Sequence, residues 1–306
     1  DGAACSLHLR RAGSGSQRRH GVSAGITSVL LTGGAGYIGS HTCVQLIEKG
    51  WHPVILDSLV NSKVSVLDRI EQITGHRPPF IKADVREVDV VSTVLNDHAI
   101  DAVIHFAGLK SVGDSVEQPL RYYDNNVRGS KLLFEAMQKC GVKTLVFSSS
   151  ATVYGNSSAP PWNEQVPTSP ANPYGRSKLL VDRFMADVAA ADSSCSLTSL
   201  RYFNPVGAHP SGLMGEDPQG TPNNLMPFLA QVAVGRRDTL QIFGNNYPTP
   251  DGTGVRDYLH VMDLAKGHIA ALIYAHGRAG HHVFNLGSGQ GHSVMAMLKA
   301  FGKACG

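Results

Sequence analysis

The chain has no run of about 18 apolar residues, so nothing in it reads as a helical membrane span. Its five cysteines (Cys5, Cys43, Cys140, Cys195 and Cys305) are odd in number, widely spaced and without a CxxC pair, which argues against a disulfide framework or a zinc site. They read as free thiols in a reducing compartment, and the expected location is the cytoplasm. The histidines show no H-E-x-x-H or comparable ligand spacing, so no metal is implied. Charge of one sign is scarce too: the net charge is +3 over 306 residues, and four of the cations (Arg10, Arg11, Arg18 and Arg19) precede residue 20. Without them no surplus remains to build a nucleic-acid face. Internal repeats are lacking. With 42% hydrophobic and 17% charged residues, the composition is that of a globular chain with a sizeable core.

The two ends read differently from the rest. Residues 1–25 are rich in Arg, Ser, Gly and Ala, and no apolar stretch of about 7–15 residues makes them a secretory signal. Translated upstream sequence or a cloning remnant is the preferred reading, with an organelle transit peptide as the alternative. At the other end, Phe301-Gly302-Lys303-Ala304-Cys305-Gly306 reads as the end of a helix and not of a domain.

From Ile26 short apolar runs alternate with helical patterns. Val29-Leu30-Leu31, Val54-Ile55-Leu56, Phe80-Ile81, Ala102-Val103-Ile104 and Leu145-Val146-Phe147 are strand candidates; Ile38–Glu48 and Val127–Lys139 read as helices. Continuous apolar strands separated by helices predict a parallel sheet covered on both faces. The fold class is α/β, a doubly wound parallel sheet of the Rossmann type. Ligands of such sheets bind at the carboxyl ends of the strands. Those ends carry Gly33, Asp57, Asp84, His105 and Ser148–Ser150. After residue 203 the texture changes: Asn204–Asn224 and Tyr247–Gly254 are dense in turn residues. The expected division is therefore a cofactor domain over 26–203 and a smaller mixed α/β substrate lobe over 204–306.

Gly34-Ala35-Gly36-Tyr37-Ile38-Gly39 matches G-x-G-x-x-G between a strand and a helix. Glycines there let the backbone approach a pyrophosphate, and the helix N-terminus offers unpaired N–H groups to it. The motif asks for an acid about 20 residues on, at the end of the second strand; Asp57 stands there. Its carboxylate suits ribose hydroxyls and repels a 2′-phosphate, so NAD is favoured over NADP. The bland alternative is a structural glycine turn with a surface aspartate.

Tyr174 and Lys178 stand one helical turn apart, so they share a face. A phenol with a pKa near 10 is a poor base at neutral pH. A lysine cation beside it, together with a positive nicotinamide ring, is expected to lower that value. Tyr174 is then the candidate base toward a substrate hydroxyl, and Ser150 a candidate to bond the same hydroxyl. Alone, the pair is a common surface-helix pattern; with the glycine loop and Ser148-Ser149-Ser150 it becomes specific.

These residues resemble the extended short-chain dehydrogenase/reductase family. Longer blocks carry the likeness further: His105–Lys110 (HFAGLK), Tyr123–Asn126 (YDNN), Ser148–Gly155 (SSSATVYG), Arg201–His209 (RYFNPVGAH), Pro222–Met226 (PNNLM) and Gly254–Leu264 (GVRDYLHVMDL). From about Ile26 to Gly306 the chain is most similar to the members that epimerise nucleotide sugars. The resemblance implies reversible C4 epimerisation of UDP-galactose and UDP-glucose through a transient 4-keto sugar, with hydride passed to and from tightly bound NAD and Tyr174 as base. It implies NAD contacts from Gly33, Gly34, Gly36, Tyr37, Ile38, Gly39, Asp57, Asn61, Ser62, Asp84, Val85, Phe106, Ala107, Gly108, Lys110, Asn125 and Lys178, with Tyr202 and Phe203 beside the nicotinamide. UDP contacts are implied for Asn204, Asn224, Leu225, Phe243 and Arg256, and a homodimer for the assembly. A planar cation such as Arg256 suits a diphosphate. His105 is expected to shape its strand end and not to carry acid–base chemistry.

Family members generally continue past Gly306 into a segment with a diphosphate-clamping arginine, and residues 1–25 have no family counterpart. Two rival readings stay open: a related nucleotide-sugar dehydratase or dehydrogenase, and an NAD-binding regulator without turnover. The first lacks the acidic pair that dehydratases of the family typically carry after the threonine, since Val153-Tyr154 follow Thr152. The second predicts a degraded Tyr/Lys pair, and both residues are present.

Overall fold

The structure, a computed structural model, describes residues 25–155, 159–220 and 222–305; the leader reading for 1–24 lies outside them. The first half runs β1 (Ser28–Thr32), α1 (Tyr37–Glu48), β2 (His52–Asp57), α2 (Val66–Thr74), β3 (Phe80–Lys82), α3 (Val88–Asp97) and β4 (Ala102–His105). Next come α4 (Val112–Glu117), α5 (Pro119–Tyr122), a π-helical turn over Tyr123–Arg128, α6 (Gly129–Cys140), β5 (Thr144–Ser150), α7 (Pro173–Ala191) and β6 (Ser196–Tyr202). The chain ends with β7 (Asn204–Val206), α8 (Leu225–Ala233), β8 (Val255–His260), α9 (Val261–Ala275), β9 (Gly280–Leu286), β10 (Gly291–Ser293) and α10 (Val294–Cys305).

Seven strands form one parallel sheet in the order β3-β2-β1-β4-β5-β6-β9. Alternation along each strand divides the core between its faces. Leu30, Val54, Val103, Leu145 and Leu197 pack on one side with Leu133 of α6 and Val181 and Met185 of α7. Val29, Leu31, Ile55, Ile104, Val146 and Leu200 pack on the other with Cys43 and Val44 of α1 and Leu264 and Ile269 of α9. Burial on both faces is why these strands read as unbroken apolar runs. Chain order reverses beside β1, flanked by β2 and β4, and the ligand crevice of such a sheet opens there.

The second lobe holds a three-stranded mixed sheet, with β8 antiparallel to β10 and parallel to β7. A single boundary at 203/204 does not describe this arrangement. After β8 the chain returns to the large sheet, where α9 packs on α1 and all seven residues of β9 pair with β6. The helix expected over Val127–Lys139 is preceded by the π-helical turn. Among the described residues no helix is long and apolar enough to cross a membrane, and no group of three or more His, Cys, Asp or Glu is placed to hold a metal.

Candidate active site

Strand β1 ends in a turn that only glycine can make. Gly33 sits at φ +70°, and a Cβ on it would lie 2.6 Å from the Ala107 nitrogen. A Cβ on Gly39 would lie 2.7 Å from the Gly34 Cα, so the loop and α1 close onto each other through bare backbone. Gly36 caps α1 without a side-chain bond, and the first turn holds no acid, leaving its N–H groups to the cleft. Asp57, buried at the end of β2, accepts from Ala35 N at 3.0 Å, Leu59 N at 2.8 Å and Ser62 Oγ at 2.9 Å. Gly34 does not line the cleft, and a Cβ on it would meet the Leu31 and Ile55 side chains.

Helix α7 is launched by Asn172, whose side chain accepts from Gly175 N at 2.8 Å, with Pro173 in the first turn. This fixes Tyr174 at the helix start and Lys178 one turn on. Tyr174 lies close enough to Ser150, the last residue of β5, for that serine to lower its phenol, and Ser150 Oγ accepts from Thr152 Oγ1 at 2.9 Å. Lys178 Nζ donates to the Ser148 carbonyl at 2.8 Å and stands 5.9 Å from the Tyr174 ring centre. Burial pushes the Lys178 ammonium down to about 8, and Asp182, one turn further along α7, opposes that loss of charge. The expected lowering of the Tyr174 phenol is not a property of the protein alone. Burial pushes it up to about 12, against a partial offset from Ser150, and Lys178 is spent on a backbone carbonyl.

Behind this pair the groups are buried and linked by hydrogen bonds, with Asp182 Oδ1 left without a partner among the described residues. Arg201 Nε donates to Asp182 at 3.0 Å, and Arg201 Nη1 reaches the Tyr154 hydroxyl at 3.3 Å. Tyr154 in turn donates to Asn285 at 2.6 Å. The Tyr202 and Ser148 hydroxyls bond each other. His105 has Thr32 Oγ1 at 2.6 Å and Ser130 Oγ at 2.9 Å on its two nitrogens, and burial drives it down to about 3. It is a neutral strut between strand and helix.

These elements enclose a cleft of about 1670 Å³ along the carboxyl ends of the strands. Gly33, Gly36, Tyr37, Ile38, Gly39, Asp57, Asn61, Ser62, Asp84, Val85, Phe106, Ala107, Gly108, Lys110, Asn125, Ser150, Tyr174, Lys178, Tyr202, Phe203, Asn204, Asn224 and Arg256 all line it. Two of them are engaged elsewhere: Asp84, whose carboxyl is lowered chiefly by Arg86, pairs with that residue, and Lys110 with Glu216. Leu225 lines a side recess of about 150 Å³ with Asn204, Asn224 and Arg256. Phe243 does not reach the cleft; it is 83% exposed.

Several residues in or behind the cleft carry little local sequence signal. Asn126 accepts from Leu109 N at 2.8 Å and donates to Leu109 O and Ser177 Oγ, tying the loop after β4 to α7. It lies in the π-helical turn, and its only sequence signal is the Asn-Asn pair. Trp162, Asn285 and Glu216 also line the cleft. Their places depend on contacts across the chain, and no local pattern marks them.

The glycine cradle, the open N-terminus of α1 and the bonded Asp57 fit a dinucleotide. The model of the NAD dependent epimerase/dehydratase family matches residues 29–287. A UDP-glucose 4-epimerase of Yersinia pestis is 63% identical over 279 residues, 91% of this chain and 82% of that protein. The UDP-glucose 4-epimerase of Stenotrophomonas maltophila, crystallised with NAD and formylated UDP-arabinopyranose, superposes with a TM-score of 0.87 at 54% identity, covering 90% of this chain and 82% of that one. The Bifidobacterium longum enzyme, solved with NAD+ and UDP, gives a TM-score of 0.88 at 50% identity, over 91% and 83%.

Proposed function

The chain belongs to the NAD dependent epimerase/dehydratase family, and from that premise we propose that it is an NAD-dependent isomerase interconverting UDP-galactose and UDP-glucose at C4. The observation that carries this reading is that Tyr174, Lys178 and Ser150 at the carboxyl end of β5 line the same cleft as the glycine cradle. NAD, when bound, supplies a reversible hydride acceptor and the positive ring charge that the protein itself does not set beside Tyr174.

The chain's own groups do the rest. The backbone N–H groups at the start of α1 hold the pyrophosphate, and Asp57 accepts from the adenosine ribose. Asp84, Val85, Phe106, Ala107, Gly108, Lys110 and Asn125 line the remaining cofactor wall, with Tyr202 and Phe203 toward the reactive end. Lys178 stays cationic at neutral pH, since its value of about 8 lies above 7, and so favours the anionic form of the phenol. Tyr174 then takes the proton of the sugar 4-hydroxyl, Ser150 bonds the same oxygen, and Tyr174 returns the proton to that oxygen once the sugar presents its opposite face. Asn204, Asn224, Leu225 and Arg256 receive the UDP portion, with Phe243 joining them only through movement of its loop.

We further propose a homodimer in a cytoplasmic setting. Val112, Val116, Leu120 and Leu180 are exposed apolar side chains on α4, α5 and α7, which pack together and leave them uncovered. Cys43, Cys195 and Cys305 are free thiols, which suits a reducing compartment.

The test is to incubate the protein with UDP-galactose, adding no NAD, and to assay UDP-glucose. Product is expected, and Tyr174→Phe should lower turnover by about 10²–10⁴-fold with NAD still bound. Unchanged turnover in that variant sinks the assigned base.

A further inference from the structure

Between β7 and α8 the chain crosses the mouth of the cleft, and Glu216 lies at the crossing. One of its oxygens, Oε1, takes two donors from opposite sides: Lys110 Nζ at 2.8 Å, from the loop after β4, and Asn224 Nδ2 at 2.8 Å, from the cap of α8. The Glu216 side chain is only 8% exposed, against 43% for Lys110. Its second oxygen, Oε2, is buried with no partner, so the carboxylate has acceptor capacity that the free protein leaves unused. A hydroxyl on a bound ligand is the donor class that fits it. The following residues lean only on the cofactor side, through Asp217 to Lys63 at 2.6 Å and Gln219 to the Ser62 carbonyl at 2.9 Å. Of these three residues, Glu216 is the one that bonds both sides.

We infer that Glu216 is a positioning residue that couples the two halves of the cleft, holding Lys110 toward the cofactor and Asn224 toward the substrate, so that UDP binding and NAD retention strengthen each other. The inference rests on the functional reading above, which gives Lys110 to NAD and Asn224 to UDP. Charge makes the physical case. Bonds to a carboxylate are about twice as strong as neutral ones, and in a buried place they are little screened. Freed of Glu216, Lys110 has the reach to return to solvent, and the Asn224 amide loses the acceptor that sets its orientation. Coupling of this kind is reciprocal: the factor by which UDP tightens NAD equals the factor by which NAD tightens UDP.

The experiment uses the NAD-loaded protein, with UDP as probe. Affinity for UDP is measured by calorimetry, and NAD loss on dialysis is followed with and without UDP. Glu216→Ala is expected to weaken UDP about tenfold or more and to abolish the protection UDP gives to NAD. Glu216→Gln keeps an oxygen for both donors without the charge and should fall between the parent and Glu216→Ala in UDP affinity, whereas Asp217→Asn, outside the bridge, should leave both readouts within about twofold. Parent-like UDP affinity in Glu216→Ala, or undiminished protection of NAD, overturns the inference. So does a Gln variant as impaired as the Ala variant with an equally lowered melting temperature, which would mark fold damage. A parent that holds NAD yet binds no UDP overturns the functional reading itself; a parent that does both beside an unaffected Glu216→Ala overturns the coupling alone.

Discussion

The two halves of the cleft are built on different principles. On the cofactor side the positions come from the ends of β1, β2 and β4, where backbone meets backbone and Asp57 is already held by three donors. On the substrate side they come from loops and short strands: Arg256 is exposed and donates only to its neighbour's carbonyl, Val255 O, while Phe243 faces solvent. A site whose groups are fixed before the ligand arrives loses little ordering entropy on binding, and one whose groups are free must have them ordered by the ligand. The cofactor half is thus suited to hold its ligand through many cycles, and the substrate half to exchange it.

The comparison breaks most severely at the glycine cradle. Gly33→Ala places a Cβ at 2.6 Å from backbone at a positive φ, so it should cost about 2–4 kcal/mol and abolish NAD retention, read by thermal melting and by bound nucleotide after gel filtration. Unaltered NAD content would mean the loop is more yielding than its contacts allow. Next in size is Arg256→Ala, expected to weaken UDP binding by about 10–100-fold while leaving NAD content unchanged; a parallel loss of NAD would erase the distinction between the halves.

A subtler effect is the pH dependence of Lys178. Its folded value of about 8 lies below the ordinary 10.5, so between those pH values the unfolded chain binds the extra proton and stability rises with pH. Below pH 8 the cost of burying the charge is fully present. In protein stripped of nucleotide, Lys178→Met should therefore be favoured over the parent near neutral pH, with the gap closing toward pH 10.5 in denaturant titrations. A constant gap would show that Lys178 is not penalised by burial. The smallest effect is on stability from Phe243→Ala, expected within about 0.5 kcal/mol because the ring is exposed. Any loss of UDP affinity in that variant then reports direct contact in the bound state.

What could be read from sequence follows the same division. Strands β1, β2, β4 and β5 were legible because apolar packing on both faces writes itself as a run of apolar letters. The return of the chain to the sheet was not. Beside β6 one face of the sheet is polar: Ser199 bonds His281 of β9 at 2.9 Å, and Arg201 pairs with Asp182. Gly280–Leu286, with its two histidines and an asparagine, therefore carries only the short apolar pair Val283-Phe284, too little to mark a return to the sheet. In the site, the glycine loop and the Tyr174/Lys178 spacing are local and showed themselves. Asn126, Trp162, Asn285 and Glu216 depend on partners far along the chain. The rise of Tyr174 to about 12 depends on burial, which spacing does not encode.

The pairing of β9 with β6 bears on how this protein can be dissected. Each of the seven residues of β6 is buried and matched to one on β9. A gene fragment stopping at residue 203 would encode the whole glycine cradle and the Tyr174/Lys178 pair, yet it would strip the cover from that strand. The exposed ladder is a template on which another molecule can add its own strand. Such a fragment should form insoluble aggregates despite its intact cofactor motifs, and the returning helix and strand serve as a lid on self-association as much as a part of the sheet.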